Sequence, residues 1–177
     1  MIKGFKIPKV TFRVRTGDAV ETDGGCAIGG AWHNATTDSY FKGKRVVLFS
    51  LPGAFTPTCS SQQLPGFEKE YDRIKNMGID EIYCVSVNDS FVMNSWSKEH
   101  EIENVKMIPD GSGEFTRGMD MLVWKPAQNF GFRSWRYAMI VNDMEVEKMM
   151  IEEGKNQLGL DDDPYEITKP ENLLNNI

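Results

Sequence analysis

Cysteine is scarce in this 177-residue chain: Cys26, Cys59 and Cys84 are the whole supply. An odd, small number of thiols predicts a reducing, cytoplasmic setting and no disulfide scaffold. The pattern C-x-x-C is absent, and threonine stands where a disulfide oxidoreductase would carry its other cysteine, in Thr56-Pro57-Thr58-Cys59. Histidine is scarcer still. His33 and His100 lie far apart, no Cys/His cluster has zinc spacing, and neither a metal nor another cofactor is expected. No apolar run approaches the ~20 residues of a membrane span, and no membrane partner is expected. The first residues, Met1-Ile2-Lys3-Gly4-Phe5-Lys6-Ile7-Pro8, carry positive charge with no long apolar core behind it, so a signal peptide is not expected. Positive charge is also in deficit. With 20 basic against 26 acidic residues the net charge is −6, which argues against nucleic acid or an anionic membrane as the main partner.

What is present is the composition of a soluble globular protein, 40% apolar and 26% charged, long enough to bury a sizeable core. With no internal repeat and no domain-scale linker, residues 1–177 are expected to form one domain. Residues 10–15 alternate at period two and predict a strand. Residues 17–30 are polar and glycine-rich and predict turns or a loop. Residues 37–41 predict a helical turn and 44–51 a strand. Leu64, Phe67, Tyr71 and Ile74 recur at helical spacing, with Pro65 expected to kink that helix and Gly78 to cap it. Residues 81–87 predict a strand, and Asn88-Asp89-Ser90 an N-cap for a helix carrying Phe91, Val92 and Trp96. Residues 105–108, 136–141 and 145–150 predict strands, and 115–119 a short helix. Asp161-Asp162-Asp163-Pro164 predicts a solvated acidic loop, and Thr168 with Glu171 a capping box for a last helix. Strands alternating with helices and closing on a hairpin give an α/β fold, a central mixed sheet flanked by helices.

The chain turns on Leu51-Pro52-Gly53-Ala54-Phe55-Thr56-Pro57-Thr58-Cys59-Ser60. An apolar strand hands over here to the first turn of a helix, where free backbone N–H groups and the positive end of the macrodipole favour an anion. A thiolate is such an anion and is the nucleophilic form of cysteine. On its own, a cysteine after a strand reads as a small core residue. Flanking prolines stiffen this approach, Thr56 can bring its hydroxyl near the sulfur, and Ser60 and Ser61 keep the helix start polar. Together they single out Cys59 as reactive.

Pro52-x-x-x-Thr56-x-x-Cys59 resembles the active-site motif of the peroxiredoxins. The wider string from Pro52 to Ser60, followed by Leu64-Pro65-Gly66-Phe67, is similar to the type-5 subfamily. So are Ser86-Val87-Asn88-Asp89 with Phe91 and Trp96, and Arg133-x-x-Arg136-Tyr137 before a strand. The resemblance spans residues 43–146. It implies a thioredoxin-like fold and reduction of hydrogen peroxide and alkyl hydroperoxides. By position, it makes Cys59 the peroxidatic cysteine, Thr56 the group that orients the peroxide, and Pro52 the shield against water. Arg136, chosen over Arg133 because an aromatic residue follows it directly, would hold the thiolate and the polarised oxygens. A guanidinium suits the oxyanion that leaves, and the product is a sulfenic acid. Read without the resemblance, Arg136 is a surface ion-pair residue.

Many type-5 members resolve that sulfenic acid with a second cysteine near the C-terminus, but no cysteine follows Cys84 here. A one-cysteine mechanism is therefore implied, with an external thiol (glutathione with glutaredoxin, or thioredoxin) as reductant. Cys84, mid-strand, reads as a buried core thiol. Cys26, in the glycine-rich loop, is the alternative resolving thiol. No role is read for Trp32 or His33, and His100 is expected as a charge at a helix C-terminus. The resemblance further implies a homodimer, with Phe55 and Trp96 at or near its surface. The rival readings are a peroxide sensor or holdase that uses Cys59 oxidation without turnover, and a thiol transferase.

Overall fold

Strand-forming residues are apolar at every interior position where both faces of a sheet are covered, and the run before the Cys59 loop is of that kind. The computed structural model describes residues 4–17, 20–21, 27–28 and 30–177. In chain order the elements are β1 (Thr11–Thr16), β2 (Val20–Glu21), β3 (Ala27–Ile28), β4 (Ala31–Thr36), α1 (Thr37–Phe41) and β5 (Arg45–Ser50). A π-helical turn (Cys59–Gln63) runs into α2 (Leu64–Lys69), followed by α3 (Tyr71–Lys75), β6 (Glu81–Ser86), α4 (Ser90–Glu99), β7 (Lys106–Pro109) and α5 (Glu114–Gly118). The chain continues through β8 (Leu122–Lys125), β9 (Gly131–Ser134), β10 (Tyr137–Asn142), β11 (Glu145–Ile151) and α6 (Pro170–Leu174).

The central sheet has the order β11-β10-β5-β6-β7. β5, β6 and β7 run parallel, and β10 runs antiparallel to both β5 and β11. The sheet is mixed, as the sequence predicts. Successive side chains of a strand point to opposite faces, and β5 divides accordingly. Val47 and Phe49 join Leu64 and Phe67 of α2, Ile74 of α3, Met93 and Trp96 of α4 and Leu173 of α6. Val46 and Leu48 join Phe12, Phe41 of α1 and Phe115 of α5 on the other face. Phe49 stacks on Phe67 with ring centroids 4.0 Å apart, which seats α2 over the strand that leads to Cys59. Cys59 and Cys84 both belong to this helical face, and both are fully buried. Burial pushes the Cys84 thiol well above its ordinary range, in keeping with a core thiol. No helix of the described residues is long and apolar enough to cross a membrane.

Five expectations need correction. The one helix expected over Leu64, Phe67, Tyr71 and Ile74 is broken at Glu70 into α2 and α3. Pro65 does not kink its helix. The preceding turn is wide, with Leu64 N–H donating to Cys59 C=O five residues back, so Pro65 falls in the first turn of α2 where a missing N–H is tolerated. Trp96 has no exposed surface and cannot line a subunit interface; its indole is drawn inward by packing and by a hydrogen bond to Ser60. Thr168 forms no capping box. Lys169 is the N-cap of α6, and Thr168 donates both its N–H and its hydroxyl to the Glu152 carboxylate. The acidic loop is not simply solvated either. Lys125 and Asp161 form a buried ion pair at 2.7 Å, with side chains 3% and 5% exposed, and Asp163 pairs with Arg136.

Candidate active site

β5 ends at Ser50, and the loop behind it turns inward: Leu51, Pro52, Gly53 and Ala54 are all buried. Phe55 makes the turn with φ at +62°, unusual for an aromatic residue, and projects into solvent. Two hydrogen bonds hold the loop. Thr56 donates its hydroxyl to the Gly53 carbonyl at 2.7 Å, and Ala54 N–H donates to Asn88 Oδ1 at 3.0 Å. Asn88 also accepts from Ser86 Oγ, which ties the loop to the end of β6. The turn bearing Cys59 is then pinned to α4 by the Trp96 indole N–H, which donates to Ser60 Oγ at 2.9 Å.

Cys59 meets Arg136 in the space so formed. Arg136 stands immediately before β10, is 1% exposed, and brings Nη1 to 3.6 Å from Cys59 Sγ. The same Nη1 donates to Gln63 Oε1, and Gln63 donates from Nε2 to the Ser50 carbonyl. The remaining donors face the segment after β11: Nε donates to the Pro164 carbonyl at 2.9 Å, and Nη2 to Asp163 Oδ1. The Tyr165 ring lies 5.5 Å from the guanidinium carbon. The fork is thus fixed on three sides, which a planar guanidinium allows and a point charge does not.

That segment is in turn anchored by Glu152. Its buried carboxylate accepts from the backbone N–H groups of Glu166, Ile167 and Thr168 and from the Thr168 hydroxyl. Trp135, next to Arg136, donates its indole N–H to the Glu152 carbonyl.

Of the residues singled out in the sequence, the structure brings Cys59 and Arg136 into contact. Pro52 is buried on the same loop, and the Thr56 hydroxyl faces Gly53. With its proton given to Gly53, the Thr56 oxygen presents lone pairs and can accept from an incoming O–H. Arg133 does not touch the sulfur; its guanidinium packs against Gly53. Cys26 lies outside the described residues. Gln63, Asp163, Pro164 and Glu152 were not anticipated. Gln63 stands four residues after Cys59, a spacing that puts two helical residues on one face and that could have marked it. The residues after β11 carry no such local signal. A larger cleft of about 460 Å³, bordered by Arg13, Trp32, Asp89 and Glu114, includes no residue of the Cys59 loop.

A guanidinium held against a buried thiol is suited to stabilising an oxyanion that this sulfur displaces. Residues 6–166 match the family described as Redoxin. The chain is 56% identical over 169 residues to a peroxiredoxin of Sinorhizobium fredii, covering 96% of this chain and 88% of the relative. It superposes on the crystal structure of a Plasmodium falciparum antioxidant protein, a 1-Cys peroxiredoxin, with a TM-score of 0.86 at 38% identity, covering 98% and 99% of the two chains. On reduced Prx3 of Vibrio vulnificus, in complex with hydrogen peroxide, it superposes with a TM-score of 0.80 at 33% identity, covering 99% and 98%. The fold is the thioredoxin-like one of that family, and the chain belongs to the Redoxin family and, within it, to the peroxiredoxins, which are thiol-dependent peroxidases.

Proposed function

We propose that this peroxidase reduces hydrogen peroxide and alkyl hydroperoxides at Cys59, in antioxidant defence and redox homeostasis. What carries the reading is the approach of Arg136 Nη1 to within 3.6 Å of Cys59 Sγ, with both residues buried. The thiolate attacks one peroxide oxygen. The S–O bond forms as the O–O bond breaks, and the other oxygen leaves as hydroxide or alkoxide and takes up a proton. Sulfur is oxidised by two electrons to the sulfenic acid, and the peroxide is reduced to water or an alcohol. Arg136 meets the negative charge as it moves from sulfur to oxygen. Thr56 accepts from the peroxide O–H and aligns it, and buried Pro52 keeps water from the sulfur.

An external thiol then displaces water from the sulfenic acid to give a mixed disulfide, and a second thiol releases Cys59. Glutathione with glutaredoxin, or thioredoxin, serves as that donor. The absence of a cysteine beyond Cys84 in these residues supports the one-cysteine route, as does the printed description of the Plasmodium relative. The peroxide named in the Vibrio structure supports the substrate. The motif string from Pro52 to Phe67 supports the type-5 assignment, and the small number of cysteines a cytoplasmic setting.

The test is peroxide consumption with glutathione plus glutaredoxin, and separately with thioredoxin, for wild type, Cys59→Ser and Cys26→Ser. Turnover is expected to fall to background only in Cys59→Ser. Loss in Cys26→Ser as well would make Cys26 a resolving thiol. A wild type that oxidises once and never turns over would favour a sensor or holdase instead.

A homodimer is part of the same reading. Phe55, 53% exposed at the tip of the loop, is the surface residue that remains for its interface once Trp96 is buried. Light scattering at micromolar protein is expected to give twice the subunit mass, and a single-subunit mass would end the dimer.

A further inference from the structure

An open pocket of about 290 Å³, bordered by Arg117, Arg133, Phe130, Phe132, Leu122 and Ser112, includes no residue of the Cys59 loop itself but reaches it through Arg133, whose guanidinium packs on Gly53. We propose that this pocket binds the carboxylate of a small organic molecule with an apolar stem, and presents that molecule to Cys59. The carboxylate belongs either to the hydroperoxide or to the thiol that reduces Cys59. Binding here does not depend on the peroxidase reading above; reaction at Cys59 does.

The argument starts with Arg133. It is half-buried, and among the described residues its one side-chain hydrogen bond is from Nε to the Phe130 carbonyl at 3.1 Å. Its guanidinium lies 5.4 Å from the centre of the Phe130 ring. Among the described residues no carboxylate stands within 4 Å of Arg133 or of Arg117, whereas Arg45, Arg73 and Arg136 are all paired. Burial lowers the Arg133 pKa, the expected result for a cation taken from water, and the charge of Cys59 offsets this in part. Two free guanidiniums facing one pocket, in a chain of net charge −6, form a local site for an anion that the rest of the surface repels.

Position ties this site to the reaction. A Cβ built on Gly53 would stand 2.7 Å from Arg133 Nη1 and 3.4 Å from Thr56 Cγ2. The guanidinium therefore rests directly on the backbone of the loop that bears Thr56. Glycine is needed at that position for the arginine to lie there. Leu122, Phe130 and Phe132 supply apolar wall for a stem, and Phe132 is 57% exposed, so it is open to a ligand.

The experiment titrates reduced protein with hexanoate and with hexanamide, following the arginine Nε–H resonances by NMR, for wild type, Arg117→Gln and Arg133→Gln. Hexanoate is expected to shift the Arg133 signal saturably and hexanamide to leave it in place. Affinity is expected to fall at least about tenfold in Arg117→Gln, the cost of one charged hydrogen bond. An unmoved Arg133 signal, or wild-type affinity in both variants, overturns the site. Arg117 is exposed, so its variant keeps the test valid if Arg133→Gln fails to fold.

Two kinetic arms identify the source. One compares a fatty-acid hydroperoxide with its methyl ester in Cys59 oxidation; the other compares glutathione with its diethyl ester in reduction of the sulfenic acid. The acid-to-ester rate ratio, taken within each variant so that general losses cancel, is expected to fall about tenfold in Arg117→Gln in one arm. Unchanged ratios in both arms overturn delivery to Cys59. Hydrogen peroxide turnover measured on the same wild-type preparation keeps failure of the peroxidase reading distinct from failure of the pocket.

Discussion

Arg136→Lys is expected to slow oxidation of Cys59 by hydrogen peroxide roughly 10²-fold or more, the usual cost of one oriented donor to a developing oxyanion. The charge survives this substitution, so the loss measures geometry. Wild-type Arg136 serves Cys59 Sγ, Gln63, Asp163 and the Pro164 carbonyl together. An ammonium on a flexible stem has three donors and no fixed plane, and it cannot reach all four while staying near sulfur. At least one buried acceptor is left unpaired, which costs about 1–3 kcal/mol of stability. Stopped-flow oxidation and a thermal melt separate the two effects. Wild-type oxidation kinetics in a folded Arg136→Lys protein would remove the guanidinium fork from the mechanism.

Glu152→Ala is expected to lower stability by ~3 kcal/mol or more, because several buried donors lose their acceptor at once. The same change frees the segment that carries Asp163, Pro164 and Tyr165 onto Arg136. Peroxidase activity should therefore fall in protein that is still folded, although Glu152 does not touch the sulfur. Glu152→Gln keeps one oxygen and the side-chain shape and should recover part of the stability. Urea denaturation gives the first quantity and peroxide consumption at low urea the second. A wild-type midpoint in Glu152→Ala would mean that something else holds this segment.

The elements nearest Cys59 were legible in the sequence because their signals are local. The apolar run of β5, the spacing of Leu64 and Phe67 in α2, and the N-cap at Asp89 each depend on residues within one or two turns of one another. Asp89 Oδ1 does accept from Val92 N–H, as that cap requires. The β8–β9 hairpin went unread although Trp124 pairs with Phe132 across it, since the intervening residues gave no alternation long enough to separate strand from loop. The segment after β11 was misread for a different reason. Three consecutive aspartates look like a solvated run, and their cationic partners stand 36 residues away for Asp161 and 27 for Asp163. Local sequence predicts that Thr168 caps the helix that follows it, the commoner use of threonine there, while its actual partner, Glu152, is 16 residues back. Distance along the chain hid these contacts. Residues 22–26, with Cys26 among them, stay outside the described structure.

The 77-residue separation of Cys59 and Arg136 also sets an order of events during synthesis. A ribosome adding about 5–20 residues per second exposes the thiol several seconds before the arginine exists, and the segment that clamps the arginine follows later still. Throughout that interval the nascent thiol has no guanidinium beside it. On the function proposed above, peroxide sensitivity is therefore acquired only when the last strands and the segment after them have closed over the sheet, and a half-made chain would carry an ordinary cysteine through an oxidising burst that consumes the finished one.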